Sequence, residues 1–408
     1  MMDYSNITKC RGCGSDDLTE VLFLGDHPLA NALKESRNEV ERKYPLTLMF
    51  CARCSLVQIK ETVNKETLFS HYVWVTGTSA TAQRFAYDFY DNVCHVVDLK
   101  SDDLVIEIAS NDGTFLKPFI RNHHKAIGVD PAKNVAQIAN EAGVKTVNAF
   151  WNVELSRGLV SEHGAAKFIF ARNVIPHVSE LHNVLSGVEL CLAENGVGAI
   201  EFHYAGSIYA QLQYDAIYHE HLCYFSIKSI ENLLKMYNLH SFHLDLSPIS
   251  GGALVIYFAK NANLPLSASY SGLVEQEKKL RIHELSSWKE FASKCELHRE
   301  KSKKMMKSFP RERIIGFGAS ARSSTFLNFC GFTGSDLDAI IDNNCIKQGY
   351  FTPGSSVPVV SLAEGLAFDP RLIFILAWNF KDEIMLECRK KGYRGKFLVP
   401  FPNEPYLI

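Results

Sequence analysis

No uninterrupted apolar run in this sequence approaches the length of a membrane span, and no basic-then-apolar leader precedes Cys10. The chain is therefore expected in the cytoplasm, with no membrane partner. Net charge is nearly absent: 43 Lys and Arg against 45 Asp and Glu leave −2. That balance gives no broad attraction to nucleic acid or to an anionic surface. The flanks of the paired cysteines lack a dense Lys/Arg cluster and no basic stripe studded with aromatics is present, which argues against RNA or DNA as a partner. The metalloprotease pattern H-E-x-x-H is missing, and the first strand-to-helix loop lacks G-x-G-x-x-G. Cysteine is not scarce, but its count of 11 is odd, and Cys191, Cys223 and Cys330 lie in core-like apolar runs. This pattern suits a reducing compartment and one metal site, not a disulfide framework.

What remains is a chain of 408 residues, enough for two or three domains. Its first part carries Cys10-x2-Cys13 and Cys51-x2-Cys54. Four thiolates fill a tetrahedral zinc site and leave no open position, so the metal is expected to be structural. The gap between the pairs is long for a compact finger, so the zinc is expected to staple a small β-rich domain over residues 1–70.

Residues 104–113, Leu-Val-Ile-Glu-Ile-Ala-Ser-Asn-Asp-Gly, read as a buried strand feeding a helix through a tight loop. Such a turn aims backbone N–H groups and a helix N-terminus at a ligand. A second apolar strand, 126–130, ends in Asp130, about 20 residues on, where doubly wound sheets hold a ribose hydroxyl pair. An acid on the first strand, a small-residue loop and an acid on the second suit S-adenosylmethionine. Glu107 would take its amino-acid end, the loop of Ala109, Asn111 and Gly113 its middle, and Asp130 its ribose. Phe150, beside Trp151, can stack on an adenine, although both rings also suit a core. Asn173, just past the strand at 168–171, completes the expected donor set. Alternating strands and helices over 71–265 imply a largely parallel sheet. His71 to Ser79 reads either as a lid on the ligand or as a plain loop into the helix at 80–93.

Three runs follow strand ends, where open α/β sheets place ligands. They are Asn173 to His177, Glu201 to His203, and Tyr214 to Ser226, the last holding Tyr218, His219, Glu220 and His221 in sequence. The His-Glu-His spacing is wrong for two metal ligands on one helix face and better suits acid–base chemistry. Residues 266–305 read as a helical connector with a solvated charged face. Residues 306–408 open a second nucleotide-type unit: a strand, the turn Gly316-x-Gly318, a helix carrying Arg322 to clamp a phosphate, and a next strand ending in Asp342.

Taken together, these motifs resemble those of the sugar C-methyltransferases that act on nucleotide-linked 4-keto-deoxyhexoses, such as the dTDP-sugar C-3 methyltransferases. The likeness spans the paired Cys knuckles, Thr-Gly-Thr-Ser, Glu-Ile-Ala-Ser-Asn-Asp-Gly, Ile-Tyr-His-Glu-His-Leu-Cys-Tyr-Phe-Ser, Gly-Phe-Gly-Ala-Ser-Ala-Arg, Lys347-Gln348-Gly349 and Ala377-Trp378-Asn379. The resemblance implies an α/β protein with an N-terminal zinc domain, a central class I methyltransferase (Rossmann-like) sheet and a C-terminal Rossmann-like domain. The sugar nucleotide would lie between the last two. It implies His221 as the base, with Tyr218, Glu220 and His177 in the same site. Tyr72, His219, Ser320, Arg322, Gln348, Trp378 and Asn379 would meet the acceptor. The chain departs from the family pattern at His219, where Asp is common, at Asn148-Ala149, where an acid is expected, and at Arg322, where Lys is usual.

The expected reaction is methylation of a ring carbon, C-3 by expectation, next to the ketone of a 4-keto-6-deoxyhexose, by a monomeric enzyme. His221 would remove the acidic proton, Tyr218 would steady the enolate oxygen, and Glu220 would orient His221 or bind a sugar hydroxyl. The alternatives are C-5 methylation, an RNA or protein methyltransferase that uses the zinc domain for its substrate, and a non-catalytic nucleotide-sugar binder.

Overall fold

Residues 21–24 are a short apolar run rich in strand formers and 44–51 are nearly unbroken apolar, so both stretches favour strands. The computed structural model describes residues 4–64, 68, 75–78, 80–247, 251–309 and 313–408. Its N-terminal unit holds β1 (Tyr4–Asn6), β2 (Leu18–His27), β3 (Tyr44–Cys51), β4 (Val57–Ile59) and β5 (Glu61–Val63). β2, β3 and β4 form an antiparallel sheet and β1 pairs with β5. The expected β-rich character is what residues 4–63 show.

The central unit contains α1 (Ala80–Val96), β6 (Leu104–Ile108), α2 (Lys117–Arg121), β7 (Lys125–Val129), α3 (Lys133–Glu141), β8 (Thr146–Val147) and α4 (Val153–His163). It continues through β9 (Ala166–Arg172), α5 (Leu181–Cys191), β10 (Leu192–His203), α6 (Ala205–Ala210), β11 (Cys223–Tyr224), α7 (Ile227–Lys235), β12 (His240–Ser247) and β13 (Ala253–Ala259). The sheet order is β12-β13-β10-β9-β6-β7-β8. From β10 to β8 all neighbours are parallel, and β13 runs antiparallel between β10 and β12. This is the class I methyltransferase arrangement. β6 and β13 are buried at every position, as both faces carry helices. On one face Phe119 stacks on Phe168 (5.9 Å between centroids) and Phe170 (5.6 Å), and Phe89 lies against the same pair. Each such ring stabilises the packing by about 1.5–3 kcal/mol through burial. The chain moves outward from β6 to β8 and then returns to β9 on the other side of β6. The crevice at the carboxyl ends of β6 and β9 is therefore the place for a ligand.

β11 does not join this sheet. It pairs with β4, so the N-terminal sheet reads β11-β4-β3-β2 and its edge is closed by a strand from the middle of the chain. A backbone bond from Ile59 N to Leu222 O (3.0 Å) extends the pairing.

Where one connecting helix was expected, there are two, α8 (Ala268–Leu280) and α9 (Leu285–Lys307). Arg281 adopts a left-handed φ of 55°, which ends α8 and redirects the chain. The C-terminal unit comprises β14 (Ile314–Phe317), α10 (Ala321–Cys330), β15 (Ala339–Ile341), β16 (Val359–Val360), α11 (Leu362–Ala367), β17 (Leu372–Ile375), α12 (Lys381–Lys390), β18 (Lys396–Val399) and β19 (Tyr406–Leu407). Its order is β16-β15-β14-β17-β18-β19, parallel except for β19. Buried polar groups tie the units together. Glu277 of α8 accepts from Tyr204 Oη (2.7 Å) and from the first N–H groups of α7. Tyr214 Oη bonds His298 Nδ1 (2.8 Å), and His298 Nε2 donates to Pro400 O (2.8 Å). Among the described residues no helix is long and apolar enough to cross a membrane.

Candidate active site

The loop after β6 is held in an unusual conformation. Ala109, Asn111 and Gly113 all have positive φ (57°, 52° and 73°). A non-glycine residue there is costly and persists only where its surroundings enforce it. Asp130, at the end of β7, supplies much of that enforcement: its carboxylate accepts from Asn111 N and Ala132 N, both at 2.8 Å. Burial raises the Asp130 pKa while these two N–H groups pull it down. Gly128 makes room for the loop, since a Cβ there would lie 2.3 Å from Ser110 Oγ. Around this loop, among the described residues, several buried polar atoms have no protein partner: Glu107 Oε2, Ser110 Oγ and Asn173 Oδ1. Asn173 also has a positive φ, 50°. Unpaired polar atoms are costly unless a ligand meets them, so this cradle fits S-adenosylmethionine. Burial drives the Glu107 pKa well up, opposed by the charge of Arg172.

Tyr72 lies outside the described residues, but the end of its run does not. Thr76 N donates to Asn111 Oδ1 (2.9 Å) and Gly77 N to Asp112 Oδ2 (3.0 Å), so residues 75–78 rest on the donor loop. A Cβ at Gly77 would lie 2.4 Å from Asp112 Oδ2. Of the aromatic pair after β8, Trp151 is core, with Nε1 donating to Val184 O (3.1 Å), while Phe150 is 38% exposed.

Arg172, at the end of β9, was not singled out from the sequence. Its Nη2 lies 2.5 Å from Glu201 Oε2, and its guanidinium sits 3.3 Å from the Phe115 ring centroid. The signal was available: a lone cation ending an apolar strand beside Asn173.

The second cluster centres on His221. His221 Nδ1 is 3.0 Å from Ala216 O, and its Nε2 is 2.7 Å from Tyr218 Oη. A carbonyl only accepts, so Nδ1 carries the proton and the Nε2 lone pair accepts the phenol O–H. The rings of His177 and His203 stand edge-on to His221 at 4.7 and 4.9 Å. Burial depresses all three histidines: His177 to about 4, His203 to about 3, and His221 well below its usual value, helped by its two neighbours. The cluster is therefore uncharged at neutral pH. Glu220, 7% exposed, is pushed up to about 7 by burial, and its Oε1 accepts from Asn31 Nδ2 of the N-terminal unit (2.7 Å).

His219 does not belong to this cluster. Its Nε2 donates to Pro45 O (2.9 Å) and its ring packs edge-on to Tyr44, so it anchors the zinc-bearing sheet instead of meeting a substrate. The turn at 218–221, closed by His221 N on Tyr218 O (2.9 Å), brings the first and last side chains together and turns the middle two toward the N-terminal unit.

The C-terminal expectations need more correction. Arg322 does not stand open to a phosphate. Its Nε and Nη2 make a bidentate pair with Asp215 (2.9 and 2.8 Å), Nη2 also reaches Gln213 Oε1 (3.3 Å), and the guanidinium lies over Trp378. Trp378 Nε1 donates to the same carboxylate (2.9 Å), so its polar atom is also committed. A fully buried Asp215 demands these donors. The glycine turn is likewise filled from within. Ala319 N donates to Asp342 Oδ2 (2.9 Å), Gly318 N to Ile341 O (2.7 Å), and Lys347 Nζ to Ala319 O (2.8 Å). A Cβ on Gly318 would sit 2.4 Å from Ala377 Cβ, so that glycine serves strand packing. Ser320 Oγ caps α10 through Ser323 N, and Gln348 Nε2 donates to Asp342 O (2.9 Å). Asn379 is half-buried in the turn beside Trp378.

Cys10, Cys13, Cys51 and Cys54 do converge. Their sulfurs lie within 4.8 Å of one another, with Cys10–Cys54 and Cys13–Cys51 both at 3.6 Å. A tetrahedral zinc with bonds of about 2.3 Å separates its sulfurs by roughly 3.8 Å, so the four thiols fit zinc. Gln58 Nε2 donates to Cys10 Sγ (3.2 Å), a brace from outside the ligand set.

Family models cover the chain in three blocks: a zinc binding domain over residues 10–69, a methyltransferase domain over 82–244, and a C-methyltransferase C-terminal domain over 248–402. The C-methyltransferase NovU of Streptomyces niveus is 30% identical over 410 residues, covering 98% of this chain and 97% of its own. Among solved structures, magnesium protoporphyrin IX methyltransferase from Synechocystis PCC 6803 with bound SAM is 10% identical, with a TM-score of 0.34 over 44% of this chain and 79% of its own. An S-adenosylmethionine-dependent methyltransferase from Clostridium acetobutylicum is 15% identical, with a TM-score of 0.34 over 44% and 90%. End-to-end likeness to a C-methyltransferase and the three matched domains agree: this chain belongs to the S-adenosylmethionine-dependent C-methyltransferase family.

Proposed function

We propose that the enzyme methylates C-3 of a nucleotide-linked 4-keto-6-deoxyhexose, in deoxysugar biosynthesis, through an enolate generated at the His221 cluster. The observation that carries this reading is the neutral His221, whose Nδ1–H is locked on Ala216 O and whose Nε2 lone pair is met by Tyr218 Oη at 2.7 Å. A neutral imidazole with a fixed tautomer carries its lone pair on Nε2 and is set up to take a proton, not to give one.

On acceptor entry the Tyr218 hydroxyl swings from Nε2 to the ketone oxygen. That move frees the lone pair and places a donor where negative charge develops. His221 Nε2 takes the ring proton beside the ketone, and the C–H electrons pass to the ketone oxygen as an enolate. The donor, when bound, supplies an electrophilic methyl group on sulfur. Return of the oxygen electrons would restore the ketone as the ring carbon bonds that methyl, whose bond to sulfur breaks with its electron pair left on a neutral thioether; the proton stays on His221. Glu107 holds the amino-acid end of the donor, Asp130 its ribose and Phe150 its adenine. Residues 75–78 rest on that loop through Thr76 N and Gly77 N. The zinc site takes no part in the chemistry.

The experiment is methyl transfer from labelled S-adenosylmethionine to dTDP-4-keto-6-deoxyhexoses, with the methylated carbon assigned by NMR. Transfer to C-3 is expected. Transfer to C-5, or transfer only to protein or RNA, would overturn the reading.

A further inference from the structure

The loop of residues 28–43, between β2 and β3, is long for a strand connection, and such loops are usually functional. It leaves the zinc-bearing sheet and crosses to the C-terminal unit. There Lys34 and Phe351 exchange both backbone bonds (2.9 and 2.8 Å), Lys34 Nζ reaches Ser356 Oγ (2.7 Å) and Glu41 (3.1 Å), and Glu41 accepts from Gly354 N (2.8 Å). Between these anchors and β2 sits Asn31. Its amide donates to Glu220 Oε1 at 2.7 Å. Among the described residues no hydrogen bond reaches the other oxygen, Oε2. Glu220 is 7% exposed, whereas Asn31 is exposed. The carboxylate is thus buried while its partner Asn31 is exposed, with one oxygen tethered and, among the described residues, one unclaimed.

We infer that Asn31 is a positioning residue: it holds Glu220 Oε1 so that Oε2 is presented to a hydroxyl of the acceptor. The inference rests on the reading of Tyr218, Glu220 and His221 as the acceptor-side machinery. It gives the zinc-bearing unit a part in the reaction, because the zinc-stapled sheet sets where this loop begins and where β11 lies. Without the amide, the carboxylate can turn toward the water that already reaches Asn31. Because Asn31 is exposed, its removal leaves no cavity.

The test is a double-mutant cycle with Asn31→Ala, Glu220→Ala and the pair, assayed for methyl transfer to a 4-keto sugar nucleotide. Asn31→Ala should lower kcat roughly 10- to 100-fold, one charge-assisted hydrogen bond's worth. Donor affinity by calorimetry and zinc content should stay at wild type. In the Glu220→Ala background the same substitution should change kcat by less than about threefold, because the two act as a unit. Losses that multiply, or an Asn31→Ala enzyme within twofold of wild type, overturn the inference while leaving the acceptor site in place. A Glu220→Ala enzyme as active as wild type removes Glu220 from the acceptor site, and the inference with it. A crystal structure of Asn31→Ala gives a second answer that does not depend on the acceptor: the Glu220 carboxylate should leave its position, and an unmoved carboxylate refutes the role.

Discussion

Removing the Arg322 guanidinium should loosen the turn that carries His221. Arg322 and Asp215 are 11% and 0% exposed, and they share two hydrogen bonds of 2.9 and 2.8 Å. In Arg322→Ala the carboxylate keeps only Trp378 Nε1 and stays buried. Breaking a buried pair costs about 3–5 kcal/mol, and the surviving indole bond argues for the lower end, about 3 kcal/mol. The strain falls on residues 213–221, whose amides at Ala216, Ile217 and His221 bond back to Gln213, Tyr214 and Tyr218. Amide hydrogen exchange reads this locally, without assuming that the three units unfold together. Those amides should exchange roughly 100-fold faster in Arg322→Ala. Amides in β6 and β7 should not change. Donor affinity should hold, and kcat should fall more than acceptor KM rises. Exchange within threefold of wild type, or a loss confined to the affinity for free nucleoside diphosphate, read as a raised Kd, would return Arg322 to phosphate binding and refute the pairing argument.

Three further outcomes are expected. Cys51→Ser should lose zinc, measured by metal analysis, and destabilise the β11-β4 pairing before it alters donor affinity. Asp130→Ala should weaken S-adenosylmethionine by about 1.5–3 kcal/mol in calorimetry, since it would remove the proposed ribose contact along with the brace on Asn111, while acceptor affinity stays unchanged. Glu220 has a folded pKa of about 7 against an ordinary 4.5, so its protonated form is favoured by the fold. Its contribution is full below 4.5 and is lost as pH rises through 7. Wild type should therefore lose stability relative to Glu220→Gln between pH 4.5 and 7, by on the order of 3 kcal/mol, seen as a pH-dependent gap in thermal midpoints. A gap that does not change with pH would remove Glu220 as the titrating group.

Much of this was readable in the residues because it is local. The β6 and β7 runs, the small-residue turn between β6 and α2, and Asp130 about 20 residues on all lie within one βαβ unit, where spacing fixes geometry. The four cysteines were readable because their chemistry has few other uses. What failed was non-local. Arg322 faces Asp215, 107 residues away in the chain, and Asn31 faces Glu220, 189 away. No spacing rule reports such partners. His219 was grouped with His221 by adjacency, yet the turn points it toward the N-terminal unit, and Pro45 O claimed it. Gly316 and Gly318 had the pattern of a phosphate turn, but Asp342 occupies Ala319 N and Ala377 fills the space at Gly318.

The central claim is that a neutral His221 removes the proton beside the ketone before methyl transfer. The direct measurement is hydrogen exchange at that carbon in deuterated water, with a 4-keto sugar nucleotide and a donor analogue that has no transferable methyl group. Wild type should wash deuterium into the carbon beside the ketone. His221→Ala should exchange roughly 10²–10⁴-fold more slowly, the usual worth of a general base, while both ligands still bind. Exchange at the wild-type rate in the variant, above the uncatalysed background, would contradict the account and move the base to His177 or Tyr218.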